Sequence, residues 1–278
     1  MKKMAVLGPK GTYSDIAAKK FLSENNIDLE LIYYPSILKT SEALKENEFA
    51  IFPFENTLDG FVMESVDYII NNGYHIIYQL KLPIDFVFIS NEKDIKDIKN
   101  LYVQFKTYGQ CIEFIKNNNF NIIKTESNTQ TLNDFLKNEK NSSAIIPIHL
   151  LNKKYNIEKI HIQDKLNNET RFFIVSKNDN LNLKYDDLSI SILITIMHDK
   201  SGVLYHILKE FNELDINLNS ILSRPMKSKM GEYKFYIECN ILKDRLHDLE
   251  KLKKNLNKED IKLDILGIYN KMVNLWDK

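Results

Sequence analysis

The stretch "MAVLGPKGTYS", residues 4–14, joins a short apolar run to a glycine-containing turn and then to a residue that can cap a helix. The apolar run predicts a strand, and the amphipathic residues 14–25 that follow predict a helix. Further strands and helices alternate as far as about residue 183. This alternation is typical of α/β layers with a largely parallel sheet.

The length of the chain indicates more than one compact unit. At 278 residues it exceeds what a single core needs. The number of predicted strands before residue 180 suggests two α/β lobes rather than one. We place the second lobe roughly at residues 82–166, with the chain crossing between lobes near Pro83 and near Asn167.

The pattern changes after residues 176–187, a polar stretch that suits a linker. The alternating run "LSISILITIM" predicts a strand, and residues 202–214 predict an amphipathic helix. Two strands joined by the turn "MKSKMG", a helix and a closing strand follow. The order βαββαβ is the ferredoxin-like layout. We therefore expect an α/β fold, with a two-lobed domain at residues 1–180 and a ferredoxin-like domain at residues 187–270.

Composition narrows the classes of partner. Lys and Arg together number 38, as do Asp and Glu, so the balance gives no electrostatic basis for a nucleic-acid or membrane-surface partner. No apolar run approaches the length of a membrane span or a secretory signal. The two cysteines, Cys111 and Cys239, lie far apart, and the six histidines are scattered. We expect a cytoplasmic protein with buried thiols and no metal.

The turn "GPKGTYS" is a candidate anion site because Gly11 allows close backbone approach and Thr12 or Ser14 can cap the following helix. Its glycine spacing matches neither a dinucleotide fingerprint nor a Walker loop, which disfavours a nucleotide. The alternative is a plain turn from strand to helix.

Polar side chains also follow two other predicted strands. Glu55, Asn56 and Thr57 come directly after "FAIFPF", at the carboxyl end of a strand, where α/β sheets bind ligands. They could equally supply only turn and cap chemistry. Gln110 lies in the first turn of the helix after "LYVQF", where it faces either the cleft or solvent.

The stretch "NNETRFFIVS", residues 167–176, places a hydroxyl and a guanidinium at the start of a buried strand. Arg171 could bind a carboxylate through two parallel hydrogen bonds. It could instead pair with an acidic neighbour such as Asp164 and serve only structure.

Taken together, "GPKGTYS", "PFENT", Gln110–Cys111, "NETRF" and "ILSRP" resemble the prephenate dehydratase family over essentially the whole chain. The resemblance implies a two-lobed catalytic domain similar to type II periplasmic binding proteins, followed by an ACT regulatory domain. It also implies conversion of prephenate to phenylpyruvate with loss of CO2 and water, control by L-phenylalanine, and a homodimer or homotetramer. No cofactor is implied, because aromatising the ring supplies the driving force.

The resemblance assigns roles to residues. Thr170 acts on the leaving hydroxyl, and since a Thr hydroxyl is a poor acid, we expect a preaimed hydrogen-bond donor that contributes roughly 3–4 kcal/mol. Arg171 fixes a carboxylate or the local geometry. The implied catalytic set is Thr170, Arg171, Asn56, Glu55 and Gln110. The implied substrate contacts are Gly11, Thr12, Ser14, Thr57, Asn168 and Phe172. The implied phenylalanine site is Gly202, Val203, Leu204, Leu222, Ser223, Arg224 and Pro225.

Three positions depart from the family pattern. Val103 stands where the family has an active-site serine, Thr57 replaces a serine, and Leu222 replaces a glutamate. We therefore expect Val103→Ser to raise kcat/KM, and phenylalanine inhibition to be weak and strengthened by Leu222→Glu. Two alternatives stay open: an arogenate dehydratase, and a non-catalytic sensor of aromatic or amino acids.

Overall fold

Three β-sheets with packed helices organise the protein, and the computed structural model describes residues 2–178, 186–196, 201–226 and 233–271. Most of the predicted linker at 176–187 and of the turn "MKSKMG" lies outside these ranges. None of the described helices is long and apolar enough to cross a membrane.

The first lobe begins with alternating strands and helices. Its elements are β1 (Lys3–Leu7), α1 (Tyr13–Asn25), β2 (Glu30–Tyr34), α2 (Ile37–Ala43), β3 (Phe49–Asn56), β4 (Gly60–Phe61), α3 (Met63–Asn72) and β5 (His75–Pro83). The predicted helix at 41–46 starts earlier, as α2, because the Ser36 side chain accepts a hydrogen bond from the Lys39 N–H and caps it. Gly73 ends α3 in the left-handed conformation.

The second lobe contains its own five-stranded sheet, in the order β10-β6-β9-β7-β8. Its elements are β6 (Phe86–Ser90), β7 (Asn100–Gln104), α4 (Phe105–Gln110), α5 (Ile112–Lys116), β8 (Asn121–Thr125), α6 (Asn128–Lys137), β9 (Ser142–Pro147) and β10 (Ile157–Ile160). All of them fall within the predicted range 82–166.

Strand β11 (Glu169–Ser176) returns the chain to the first lobe and lies between β3 and β5. It runs antiparallel to both neighbours. The first-lobe sheet, β2-β1-β3-β11-β5, is therefore mixed rather than largely parallel. Where the chain crosses between the lobes, the Ile84 N–H donates to the Asn168 carbonyl (2.9 Å), so the two crossing segments run side by side.

The C-terminal domain has the predicted order βαββαβ. Its elements are β12 (Asp187–Ile196), α7 (Val203–Glu213), β13 (Leu218–Pro225), β14 (Tyr233–Leu242), α8 (His247–Asn257) and β15 (Ile261–Asn270). The antiparallel sheet has the order β13-β14-β12-β15. Both helices cover one face, where Ile190, Ile192, Ile207 and Phe211 are buried together.

The other face of this C-terminal sheet packs against the first lobe. Tyr236 and Tyr269 share an apolar cluster with Phe54 and Phe173. At Gly267 an added Cβ would lie 2.2 Å from the Ile76 carbonyl oxygen, so β15 passes β5 at a distance that only glycine permits. The domains thus form one continuous packed structure, and β11 lies between the cleft and the C-terminal sheet.

Candidate active site

The two lobes enclose a cleft of about 920 Å³. Its walls are formed by first-lobe loops at the ends of β1 and β3, by the start of α4 and by the start of β11. Its polar lining includes Thr12, Ser14, Asn56, Gln104, Gln110 and Thr170. Phe172 and Gly11 also line it, so the predicted residues Gly11, Thr12, Ser14, Asn56, Gln110, Thr170 and Phe172 all reach this one space.

Asn56 and Thr170 form the polar centre of the cleft floor. The Asn56 side-chain nitrogen donates to Thr170 Oγ1 (3.0 Å), to Asn168 Oδ1 (2.8 Å) and to the Glu169 carbonyl (3.1 Å). Its Oδ1 accepts from the Leu58 and Asp59 N–H groups, which fixes the orientation of the amide. Because Thr170 Oγ1 accepts from Asn56, its own proton is available to donate into the cleft.

Asn168 and Thr57 support this centre instead of contacting the cleft. Asn168 is buried, and its Nδ2 donates to Gln110 Oε1 (3.3 Å), which links β11 to α4 of the other lobe. The Thr57 hydroxyl is bonded to the Glu169 backbone (3.2 Å). Neither side chain belongs to the cleft lining, so this geometry does not support their expected role as direct substrate contacts.

The predicted anion site at the start of α1 is partly filled by the chain itself. Asp15 Oδ2 accepts from the Gly11 N–H (2.8 Å) and from Lys19 Nζ (2.8 Å), and Oδ1 accepts from the Tyr33 hydroxyl (2.7 Å). Thr12 Oγ1 caps the helix by accepting from the Asp15 N–H. Sequence reasoning missed Asp15, although an acid three residues after a capping Thr is a recognisable signal.

Arg171 faces away from the cleft, so its position supports the second of its two expected roles, fixing the local geometry, rather than the binding of a substrate carboxylate. Successive residues of a strand point to opposite faces, so Arg171 points away from the side of β11 on which Thr170 lies. Its guanidinium pairs with Glu238 (2.6 and 2.9 Å) and with Glu55 (2.8 Å). Glu55 is therefore also directed away from the cleft.

Asp164 is not the partner of Arg171. It accepts from the Ile112 and Glu113 N–H groups at the start of α5 (3.0 and 3.1 Å). The Arg171 guanidinium also lies over the rings of Phe54 and Phe173, with centroids 5.2 and 5.0 Å away. These contacts assign Arg171 to the interface between the first lobe and the C-terminal domain.

Lys106 and His149 provide the basic side chains among the described residues that line the cleft, and sequence reasoning missed both. Lys106 lies in the first turn of α4, which the Gln104 side chain caps by accepting from the Lys106 and Thr107 N–H groups. His149 Nε2 lies 3.0 Å from the Gly11 carbonyl, so this nitrogen carries the proton. Burial lowers the pKa of His149, which favours the neutral ring.

Val103 does not face the cleft. It is fully buried in the core of the second lobe, beside Leu101, Cys111 and Ile145. Its position does not support the expectation that Val103→Ser raises kcat/KM, because the new hydroxyl would lie in an apolar core. The neighbouring Gln104 supplies the polar group at this strand end.

The predicted phenylalanine residues divide between two surfaces. Leu222 packs against the apolar cluster shared with the first lobe, and Arg224 binds Asp67 of α3 through two hydrogen bonds of 2.8 Å. Ser223 and Pro225 occupy the alternate, exposed positions of β13. Leu222→Glu would direct a carboxylate into a domain interface, so the expected strengthening of inhibition is not supported by its position.

The start of α7 carries the other three. Gly202 precedes the helix in the left-handed conformation, with φ 84°. Val203 is buried beneath the helix, whereas Leu204 lies at the surface.

The fold is a two-lobed α/β domain with a polar cleft between the lobes, packed against a ferredoxin-like domain. This architecture defines a class of proteins that bind a small molecule between two lobes and carry a second, separate domain. The chain belongs to the prephenate dehydratase family. The family model "Prephenate dehydratase" matches residues 4–180, and the model "ACT domain" matches residues 191–257. Within the described residues, no cluster of three or more His, Cys, Asp or Glu side chains is placed to hold a metal ion.

Individual relatives agree with this assignment. The chain is 31% identical to a prephenate dehydratase of Methanocaldococcus jannaschii, over 94% of this chain and 95% of that protein. It is 27% identical to a bifunctional chorismate mutase/prephenate dehydratase of Aquifex aeolicus, over 97% of this chain and 74% of the relative.

Solved structures share the fold. The prephenate dehydratase of Staphylococcus aureus superposes with a TM-score of 0.83 at 27% identity, covering 96% of this chain and 100% of that one. A prephenate dehydratase of Arthrobacter aurescens, solved in complex with L-Phe, has a TM-score of 0.80 at 22% identity and covers 97% and 90%.

Asp15→Asn should lower the free energy of unfolding at neutral pH by about 1.5–3 kcal/mol, the usual size of hydrogen bonds to a charged group. Burial acts to raise the pKa of Asp15, but hydrogen bonds from Lys19, Gly11 and Tyr33 hold it below its ordinary value overall. The stabilisation is therefore complete above the ordinary pKa of about 3.9 and is lost as the pH falls through the lower folded-state value.

Urea unfolding of both proteins, at neutral pH and at stepwise lower pH, measures this difference. The gap in stability should narrow in acid. Equal stability at neutral pH would show that the Asp15 carboxylate does not hold the turn.

Proposed function

We propose that the cleft catalyses the conversion of prephenate to phenylpyruvate, CO2 and water, and that the protein serves phenylalanine synthesis in the cytoplasm. The observation that carries this proposal is the Asn56–Thr170 pair on the cleft floor. The amide holds the Thr170 oxygen from behind, so the hydroxyl proton is aimed into a space that both lobes enclose.

The chemistry needs little beyond positioning and one donor. The bond from the ring to its carboxylate breaks, and its electron pair enters the ring as CO2 leaves. The ring becomes aromatic and expels its hydroxyl as hydroxide, which takes up a proton from solvent to become water. Negative charge develops on the leaving oxygen, and a fixed donor such as Thr170 stabilises it most at that moment.

The substrate is a dianion, and Arg171 is directed elsewhere, so other groups must hold its charge. Lys106 lines the cleft in the first turn of α4. We infer that Lys106 binds one carboxylate and that neutral donors of the cleft wall bind the other. Neutral groups near Thr170 suit a reaction in which charge moves from a carboxylate to a leaving oxygen.

The departures at Val103 and Leu222 do not favour the alternative of a non-catalytic sensor. Val103 and Leu222 both pack against apolar clusters, and neither replaces a group that faces the cleft. Nothing at the cleft separates prephenate from arogenate as substrate, and prephenate follows from the family.

We further propose that L-phenylalanine binds the ACT domain on the side away from the first lobe. Gly202, Leu204, Ser223 and Pro225 are exposed there, and a prephenate dehydratase of Arthrobacter aurescens has been solved in complex with L-Phe. Apolar side chains of this side, Leu204, Tyr205, Leu208 and Ile221, are exposed. Such a patch suits pairing of two ACT domains, in a homodimer or homotetramer.

Thr170→Ala should lower kcat for phenylpyruvate formation about 10²–10³-fold with little change in KM, because the donor acts mainly on the transition state. Thr170→Ser keeps the hydroxyl and should retain much of the activity. The appearance of phenylpyruvate absorbance gives the rate. Wild-type turnover in the Ala variant would remove Thr170 from the mechanism, and an inactive wild-type protein would overturn the proposed reaction.

Lys106→Ala should raise KM for prephenate about three- to tenfold and leave kcat nearly unchanged, because the lost ion pair is made in the ground state and the transition state alike. The wild-type KM should also rise with salt. Lys10→Ala is the matched control, since Lys10 is an exposed lysine of the same rim that does not line the cleft. Equal KM values for the two variants would assign the carboxylate to other groups.

Gly202→Ala should weaken phenylalanine binding about tenfold, because a Cβ strains the left-handed backbone that starts α7, by roughly 1–2 kcal/mol. Gly73→Ala imposes the same kind of strain at φ 64°, in the first lobe and outside the proposed phenylalanine site, and its added Cβ meets no atom within 4 Å. Calorimetric titration with phenylalanine compares the two. Wild-type affinity in Gly202→Ala, or no binding to the wild-type protein, would contradict the proposed site.

A further inference from the structure

The end of β11 connects the cleft to the ACT domain through two adjacent residues. Thr170 opposes Asn56 in the β3–β11 ladder, and Arg171 opposes Glu55. Both pairs are bonded through side chains, on opposite faces of the sheet: Asn56 to Thr170 at 3.0 Å and Arg171 to Glu55 at 2.8 Å. The position of the catalytic hydroxyl is therefore tied to the position of the guanidinium.

The β3–β11 ladder is interrupted close to this strand end. Its register shifts between Arg171 and Phe172, whereas the ladder between β11 and β5 runs without a shift from Glu169 to Ile174. Phe172 and Phe173 beyond the shift are buried in the core. The side chains of Thr170 and Arg171 therefore tie the segment before the shift to β3, in addition to its backbone ladder with β5.

The strongest of these contacts comes from the ACT domain. Glu238 on β14 binds both terminal nitrogens of Arg171, at 2.6 and 2.9 Å, and is almost fully buried. Behind it, the Tyr236 hydroxyl donates to Glu238 Oε1 (2.6 Å). Tyr236 in turn contacts Ser191, which also contacts the Tyr269 hydroxyl. The carboxylate is therefore held in one place by the ACT sheet itself.

We propose that Glu238 is a positioning residue for the reaction: from the ACT domain it holds Arg171, and through Arg171 it sets where the Thr170 hydroxyl points. The proposal rests on the proposed function, because its kinetic consequence is a change in turnover of prephenate. A displacement of the ACT sheet relative to the first lobe would move Arg171 and hence the strand end that carries Thr170. The pair thus offers a route by which events in the ACT domain reach the cleft.

A second ion pair joins the same two domains. It serves as a control that distinguishes the positioning of Arg171 from the attachment of one domain to the other. Arg224 binds Asp67 of α3 with two hydrogen bonds of 2.8 Å, and both side chains are mostly buried. Asp67 does not belong to the cleft lining or to the β3–β11 ladder. A variant at Asp67 therefore weakens domain attachment without touching the strand end.

Glu238→Gln is the test and Asp67→Asn is its matched control. Each removes one charge from a bidentate interdomain pair. We expect Glu238→Gln to lower kcat about ten- to a hundredfold with KM changed less than about twofold, since small misplacements of a catalytic group have effects of this size. Asp67→Asn should keep the wild-type kcat, although thermal unfolding should show both variants to be less stable.

If Glu238→Gln does not fold, Glu238→Asp keeps the charge but withdraws it by one methylene, and it should show a smaller loss of kcat of the same kind. Amide hydrogen exchange gives a readout that needs no substrate: residues 169–172 should exchange faster in the Glu238 variant than in the wild-type protein or in Asp67→Asn. If the wild-type protein fails to convert prephenate, that result overturns the proposed function alone. The hydrogen-exchange measurement then still tests whether Glu238 holds the strand end in place. Unchanged kcat and unchanged exchange at 169–172 in the Glu238 variant, or an equal loss in Asp67→Asn, would overturn the inference.

Discussion

The buried guanidinium of Arg171 is the constraint on which the rest of the structure depends. A charge in this position is costly unless it is paired, and Glu55 and Glu238 pair it from two different domains. Removing one partner of such a buried pair typically costs about 3–5 kcal/mol, because the remaining charge stays desolvated. Burial disfavours the charged form of Arg171, but Glu238 raises its pKa overall, so the guanidinium stays charged.

The cleft and the domain interface lie on opposite faces of the first-lobe sheet. On one face, Asn56 orients Thr170 with neutral amide contacts, and Asn168 extends these contacts to Gln110 of the second lobe. On the other face, Phe54, Phe173, Tyr236 and Tyr269 surround the ion pair with apolar and aromatic groups. Burial raises the pKa of Tyr236, which keeps its hydroxyl protonated and able to donate to Glu238. The ion pair of Arg171 thereby supports the strand end that carries Thr170 from the face opposite the cleft.

The sequence predicts the features that depend on the local pattern of residues. It does not predict contacts between residues that lie far apart in the chain. Periodicity predicts the two-lobed α/β domain and the βαββαβ domain, and the motifs bring Asn56, Gln110 and Thr170 to one cleft. The local pattern does not identify the partner of Arg171, because Glu238 lies 67 positions away and belongs to another domain. A signal existed: in "EYKFYIECNI" the acid Glu238 stands among apolar residues in the buried centre of the strand, residues 236–239. The expectation at Val103 lacks support from the structure for a related reason, since a motif fixes a residue's position in the chain and not the face of the strand on which its side chain lies.

The central claim is that Glu238 acts on the reaction through Thr170, and a double-mutant cycle between these positions tests it most directly. The rate of phenylpyruvate formation is measured for the wild-type protein, Glu238→Gln, Thr170→Ala and the double variant. If Glu238 acts by orienting the Thr170 hydroxyl, its effect should largely disappear when that hydroxyl is absent. Glu238→Gln should therefore lower kcat far less in the Thr170→Ala background than in the wild-type protein. An equal loss of kcat in both backgrounds would show that the two residues act independently and would contradict the account.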